Sequence, residues 1–264
     1  MLMEVKNQIK VNILSTKYAL EREMLNKFTF ISNIVFMVLN NSSFIIQWII
    51  LYSIKDNIGG YSFKQVLLLW GLAAMGYGVS RFFFKNAFDL SDIINTGKLD
   101  NYLVQPKNVL LSVITSDVEV SALGDILYGY IILFLYGFSI RNFLLYTFFG
   151  ITAGFIITSV SIIFSSLAFW FGRVEVIANT LNSIMTNFAT YPEGIFKGMI
   201  KILFYTILPL GFANYMPVQI MTSFNIYNLL IIIFIVLLFI GIAFFIFNRG
   251  LRKYSSTNLM NVRV

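Results

Sequence analysis

Three carboxylates, Asp117, Glu119 and Asp125, stand close together in a chain otherwise poor in charge. An ionisable side chain inside a membrane is costly and reads as functional by default. Asp125 falls a turn or two inside an apolar run. An acidic residue near a helix start is also favoured by the helix dipole, so Asp125 reads first as a structural group with partners nearby. The remaining regular polar pattern is made of amides. Asn33, Asn40 and Gln47 recur every seven residues, with Asn26 one heptad earlier. Seven residues are almost two turns, so these side chains share a face with only about 20° of drift per heptad. Asn41, Ser42 and Ser43 widen that face into a belt. Asn179, Asn182, Thr186 and Thr190 follow at steps of three, four and four, again one helical face. An unpaired polar group in hydrocarbon costs several kcal/mol. Both stripes must therefore face protein or water, either as hydrogen bonds between helices or as the lining of a cargo path. Thr152, Ser159 and Ser166, at heptad spacing, read as small residues that let helices approach.

The missing residue types narrow the chemistry. There is no Cys and no His, which excludes disulfides, thiol nucleophiles and imidazole acid–base work. No G-x-x-x-x-G-K-[ST] stretch exists to cradle ATP phosphates, and no metal-ligand cluster is visible. Intramembrane proteolysis would want paired Asp, or Ser with Lys, and one Asp within a span does not supply it. The elements that must hold these groups are membrane helices. The 264 residues are 58% hydrophobic, 17% aromatic and only 12% charged, with mean hydropathy +0.80. Soluble domains carry about 25% charged residues. The formal net charge of +7 reports cytoplasmic loops of a membrane protein rather than nucleic-acid binding.

Charge-free runs locate the spans: 27 residues between Lys27 and Lys55, 16 between Lys64 and Arg81, 15 between Asp125 and Arg141, 31 between Arg141 and Arg173, 17 between Glu175 and Glu193, and 47 between Lys201 and Arg249. The third helix is expected to begin near Val113. The expectation is an all-α membrane protein with six transmembrane helices and both termini cytoplasmic. That arrangement puts 14 of 19 basic residues inside, including the tail residues Arg249, Arg252, Lys253 and Arg263, as the positive-inside rule requires. Pro209 and Pro217 interrupt the long last run and Pro192 precedes it, three of the four prolines in all. Pro breaks the helical hydrogen-bond ladder, so residues 192–217 are expected to form an external re-entrant hairpin rather than a seventh span.

At the other end, Val5, Ile9 and Ile13, and Val11, Leu14, Tyr18 and Leu25, recur at helical spacing among charges. They suggest an amphipathic helix over 1–27 lying on the cytoplasmic leaflet, with a solvated arm as the alternative. The one long internal connection, 28 residues from Lys85 to Ser112, is expected to hold two short helices. Ser91, Asp92 and Asp100 are candidate caps, Gly97 ends the first helix and Pro106 stops the second. The whole chain, 1–264, reads as one membrane domain.

The run Gly97-Lys98-Leu99-Asp100-Asn101-Tyr102-Leu103-Val104-Gln105-Pro106 resembles the G-x-L-D-x-x-L-x-x-P signature of ABC-2 type exporter permeases. Trp70-Gly71 in the second span, Tyr191-Pro192, Pro209 and Tyr215-x-Pro217 resemble landmarks of the six-span bacterial branch of that family, in order and over essentially the whole chain. The resemblance implies a permease subunit without its own ATPase site. ATP and Mg would be bound by a separate ATPase dimer. A second permease would pair with this one, either an identical copy or, slightly favoured, a related heterologous chain. Residues 86–106 would couple to the ATPase, with Asp92, Gly97, Leu99, Asp100, Tyr102, Leu103 and Pro106 as the coupling set. Spans one, two and five would face the subunit interface, where the amide stripes Asn33, Asn40, Gln47 and Asn179, Asn182, Thr186 fall.

The expected function is export of an amphipathic or hydrophobic cargo, such as a peptide, lipid or drug-like molecule, across the bacterial cell membrane. ATP binding would draw the ATPase subunits, and with them the coupling helices, together. The competing readings are a non-transport membrane scaffold or sensor subunit, a lipid-modifying membrane enzyme and a proton-coupled carrier. The enzyme would need more clustered ionisable groups, and the carrier would show repeated halves with midplane charges.

Overall fold

The computed structural model describes residues 2–255, with side chains from residue 6 onward. Val5 and Arg263, used in the sequence reading, lie outside the described side chains. The protein is 79% helical, and no strand occurs among the described residues. It opens with α1 (Leu2–Glu23), α2 (Lys27–Ile54) and α3 (Phe63–Phe84). The long connection follows as a 3₁₀ turn, α4 (Leu90–Asn95), α5 (Asp100–Leu103) and α6 (Val109–Ile114). Then come α7 (Ala122–Gly137), α8 (Ile140–Ser166), α9 (Ala168–Phe171) and α10 (Glu175–Phe188). The chain ends with α11 (Met199–Thr206), a π-helical turn over Gly211–Tyr215, α12 (Met216–Thr222) and α13 (Ile226–Leu251).

Four helical stretches are long and apolar enough to cross a membrane: Lys27–Ile54, Phe63–Asn95, Ile140–Phe171 and Ile226–Leu251. The pair Met199–Thr206 and Gly211–Thr222, bent by 74°, would make a fifth crossing if counted as one span. The bend is the expected interruption at Pro209, which removes a backbone donor and blocks a helical turn. The helical segment runs on to Thr222, five residues past the expected end. Pro217 sits in the first turn of α12, where proline is tolerated.

Two further expectations are corrected. The third apolar helix does not begin near Val113: α6 ends at Ile114 and α7 starts at Ala122. The break lies at 115–121, where Asp117 and Glu119 are drawn into ion pairs with other elements. Ser91, Asp92 and Asp100 are not caps. They lie in the first turns of α4 and α5, whose caps are Asp89 and Leu99, without side-chain bonds. Gly97 does end the first short helix, at φ +75°.

The core is α3. Residues Val66 to Met75 of this helix are nearly all buried, clasped by α7 on one side and α8 on the other. The approach is close because glycines line the contacts. A Cβ on Gly76 would lie 2.7 Å from Cβ of Ala153, and one on Gly78 would lie 2.8 Å from the Ala122 carbonyl oxygen. Without a hydrophobic drive between helices in lipid, such van der Waals contact is the main source of cohesion. Thr152, Ser159 and Ser166 of α8 are buried in this packing. By contrast, α2 and α13 leave most of their apolar surface uncovered. So does α1, where Ile9, Ile13 and Tyr18 are exposed.

Candidate functional site

A cavity of about 770 Å³ opens between α2, α3 and the end of α10. Its size suits a ligand pocket, which typically spans about 300–1,000 Å³. Asn40, Asn41, Phe44, Gln47 and Trp48 of α2 form one wall. Trp70, Ala73, Ala74 and Tyr77 of α3 form the second, and Thr186, Asn187, Thr190 and Tyr191 the third. The two polar stripes read from sequence thus meet across one space: Asn40 and Gln47 on one side, Thr186 and Thr190 on the other. Asn33 and Asn179 do not take part and are exposed. Asn182 points the other way, where its Oδ1 accepts a hydrogen bond from Ser161 Oγ at 2.7 Å within the protein. The fifth-span stripe therefore divides between helix packing and cavity lining.

Asp125 of α7 also lines the cavity. Asn41 Nδ2 donates to its Oδ1 at 2.6 Å, and both residues are buried. The backbone explains the pairing. A Cβ on Gly124 would lie 2.5 Å from the Ile34 carbonyl oxygen and 2.7 Å from Met37 Cβ. Only glycine lets α7 come that near α2, and the next residue then reaches Asn41. Aromatic rings line the rest: Phe44 stacks on Trp70 at 5.4 Å, and Trp48 meets Tyr191 edge-on at 5.8 Å. Sequence spacing did not flag the rings, because aromatic residues are spread through all the spans.

A second cluster lies at the α3 end that adjoins the short helices. Asp117 accepts from Lys85 Nζ at 2.6 Å and from Arg22 of α1 at 2.5 Å. Arg81 pairs with Glu119 at 3.1 Å and lies 4.1 Å over the Phe88 ring. Gln8 of α1 accepts the backbone N–H of Asn108 at 2.9 Å. Partial burial alone would push the Asp117 carboxyl up, but the hydrogen bonds and charges of Lys85 and Arg22 outweigh it and hold the group below the usual aspartate range. A lowered native value means stability present above the ordinary value of 3.8 and lost as pH falls through the native one. Asp117→Asn should accordingly lower stability by about 1–2 kcal/mol at neutral pH, read as a drop in Tm in detergent. The same variant should flatten the wild-type loss of Tm below about pH 4.

The short-helix region presents a sorted surface. Leu99 is fully buried, and the Tyr102 hydroxyl shares a hydrogen bond with Ser116 at 2.9 Å. These two residues hold the tip in place. Asp92 pairs with Lys98 at 3.1 Å. Leu103 is exposed, Val104 more so at 84%, and Pro106 lies beside them. Val104 was not singled out from sequence. Its signal was an apolar residue directly beside Leu103 in a polar stretch.

On the opposite side of α3, Glu193 is buried and gathers the hairpin. It accepts from Tyr205 at 2.9 Å and from Lys201 at 2.8 Å, and Gln219 approaches at 3.4 Å. Pro192, Pro209 and Pro217 are all buried.

Residues 37–258 match the family described as ABC-2 family transporter protein. This chain belongs to that family. The match covers the cavity, the short-helix tip and the bent pair. Curated proteins and solved structures give no match. As a member of the ABC-2 family with several long apolar helices, the chain is a multi-pass membrane protein and a transporter permease.

Proposed function

We propose that this chain is the membrane subunit of an ATP-driven exporter in the bacterial cytoplasmic membrane. It crosses the membrane six times, with both termini in the cytoplasm. Family membership and the exposed Leu103–Val104 tip on a braced base support this reading. In the six-span arrangement α7 and α10 cross as short helices of about 24 and 21 Å. These are less than the roughly 30 Å hydrocarbon thickness but adequate for helices that pack on protein and a cavity. The bent pair stays on the outer face. That orientation places α1, Arg81, Lys85, Lys98 and Lys107 on the basic cytoplasmic side.

The chain supplies no ATPase motif. A separate ATPase dimer binds ATP and Mg and engages residues 86–106. A second permease, identical or related, covers the uncovered faces of α2 and α10. ATP binding presses on the tip. Leu99, Tyr102 and the Asp117 cluster carry that force into α3, whose middle turns form one wall of the cavity. Coupling of this kind needs a rigid link with two discrete arrangements. The cavity, apolar with a few amides, suits an amphipathic or hydrophobic cargo.

The test is co-purification from cells expressing the chain with its neighbouring genes. The wild type should bring down a P-loop ATPase in mild detergent and hydrolyse ATP. Leu103→Asp with Val104→Asp, both at exposed positions, should insert normally yet retain less than about a tenth of the ATPase, the effect expected when a hydrophobic hot spot is removed. Full ATPase recovery by this variant would move the coupling surface elsewhere. A chain that purifies alone while the ATPase is present would favour a scaffold.

A further inference from the structure

The cavity is lined by one carboxylate and by several aromatic rings. Asp125 is 4% exposed and held by a single amide from Asn41. Among the described residues no basic group forms an ion pair with it. Arg81 is engaged with Glu119 at 3.1 Å and with the rings of Phe88 and Tyr77. A carboxylate in hydrocarbon without a counter-charge is costly, and a cation brought beside it interacts strongly because little water intervenes. The neighbouring Phe44, Trp48 and Trp70 offer ring faces and edges, whereas the Tyr77 ring already has Arg81 over it at 5.3 Å. Aromatic faces attract desolvated organic cations, whereas an anion would meet the negative faces and the carboxylate together. Asn40 and Gln47, on the exposed side of α2, add hydrogen-bonding groups at the rim.

We infer that the cavity between α2, α3 and α10 binds an organic cation, with an ammonium, guanidinium or phosphonium centre beside Asp125 and its apolar body among the rings. This inference rests on the permease reading and names its cargo class: a cationic amphiphile. Asp125 fixes charge selection, Asn41 orients the carboxylate, and the rings supply the apolar fit. The site is built by Gly124, whose close contact with α2 sets Asp125 against Asn41.

The experiment uses the full chain in nanodiscs of neutral lipid, with binding to empty nanodiscs subtracted. Tetraphenylphosphonium is the cationic probe, and triphenylphosphine oxide is a neutral probe of similar build. The wild type should bind phosphonium saturably, at least about tenfold more tightly than the oxide. Asp125→Asn keeps the shape and an oxygen that can accept from Asn41, and should weaken phosphonium binding at least about tenfold while leaving the oxide unchanged. Phe44→Leu alters only an exposed ring and should weaken phosphonium about threefold; it decides the matter if Asp125→Asn does not fold. Equal affinity for the two probes, or phosphonium binding untouched by either substitution, overturns the inference. A chain that co-purifies with an ATPase yet binds no phosphonium loses the cation site and keeps the permease reading. A chain that binds phosphonium but recovers no ATPase loses the ATP-driven exporter reading and keeps the cation site.

Discussion

Gly76→Leu is expected to abolish recovery of folded, monodisperse protein. Gly76 lies at the middle of α3, where a Cβ would sit 2.7 Å from the Ala153 Cβ of α8, closer than packed carbons come. The same seam repeats the device. A Cβ on Gly154 would lie 2.6 Å from Val79 Cγ1 and one on Gly150 2.5 Å from Met75 Sδ. Val79 and Met75 can rotate away. Ala153 cannot, because its Cβ is fixed to a backbone that is itself buried. Leu therefore forces the two helices apart along their length. Overpacking of a tight core costs about 1–3 kcal/mol, occasionally more, and here it also removes the contact that replaces hydrophobic drive in lipid.

Gly76→Ala should cost less, about 1–2 kcal/mol. Combining it with Ala153→Gly should restore most of the loss, since the two changes exchange one methyl across the seam and are strongly coupled. Size-exclusion profiles and thermal melts read all three. A Gly76→Leu protein that elutes and melts like the wild type would show that α3 and α8 are held by something other than this approach.

Much of this architecture is visible in the residues beforehand, for physical reasons. Charge-free runs must be helices in lipid, so α2, α3, α8 and α13 follow from Lys and Arg positions alone. Prolines mark the bent pair. Gly97 marks the end of α4, because a positive φ is open to it. Spacing also placed Asn40, Gln47 and Thr186 on faces that meet at one cavity. Spacing could not say that Asn182 turns inward to Ser161, since a helical face is wider than the cavity it borders. Nor could it place the break at 115–121. The stretch is Thr-Ser-Asp-Val-Glu-Val-Ser, and its Asp117 and Glu119 are held by Arg22, Lys85 and Arg81, partners 32 or more positions away that local spacing does not reveal. The same limit hid Asp89 and Leu99 as caps, because neither uses its side chain for the purpose.

Lys201→Met combined with Tyr205→Phe is expected to release the bent pair from the rest of the protein. Glu193 is 8% exposed and lies in a turn wedged against the α2–α3 connection. A Cβ on Gly194 would collide with the Gly59 carbonyl oxygen. The carboxylate therefore cannot swing out to water, and its stability depends on its donors. Tyr205 at 2.9 Å and Lys201 at 2.8 Å supply the strong ones; Gln219 at 3.4 Å is long. Lys201 alone is 53% exposed, so its single loss should cost under about 1 kcal/mol. Losing both donors leaves a buried charge almost unpaired, which costs about 3 kcal/mol or more. Amide hydrogen exchange over 199–206 should then quicken by at least about a hundredfold, while the α3–α8 seam stays protected.

Adding Glu193→Leu to the pair should slow exchange again, because removing the stranded charge is less harmful than leaving it. That reversal separates an electrostatic hold from mere packing. If the triple variant exchanges faster than the double, the proline-rich segment is held by its apolar contacts, Phe188, Phe196 and Phe204 among them, and Glu193 is incidental. If exchange slows, the carboxylate is the point at which the turn, α11 and α12 are joined. A transport motion that moves the bent pair must then first break the bonds of Tyr205 and Lys201.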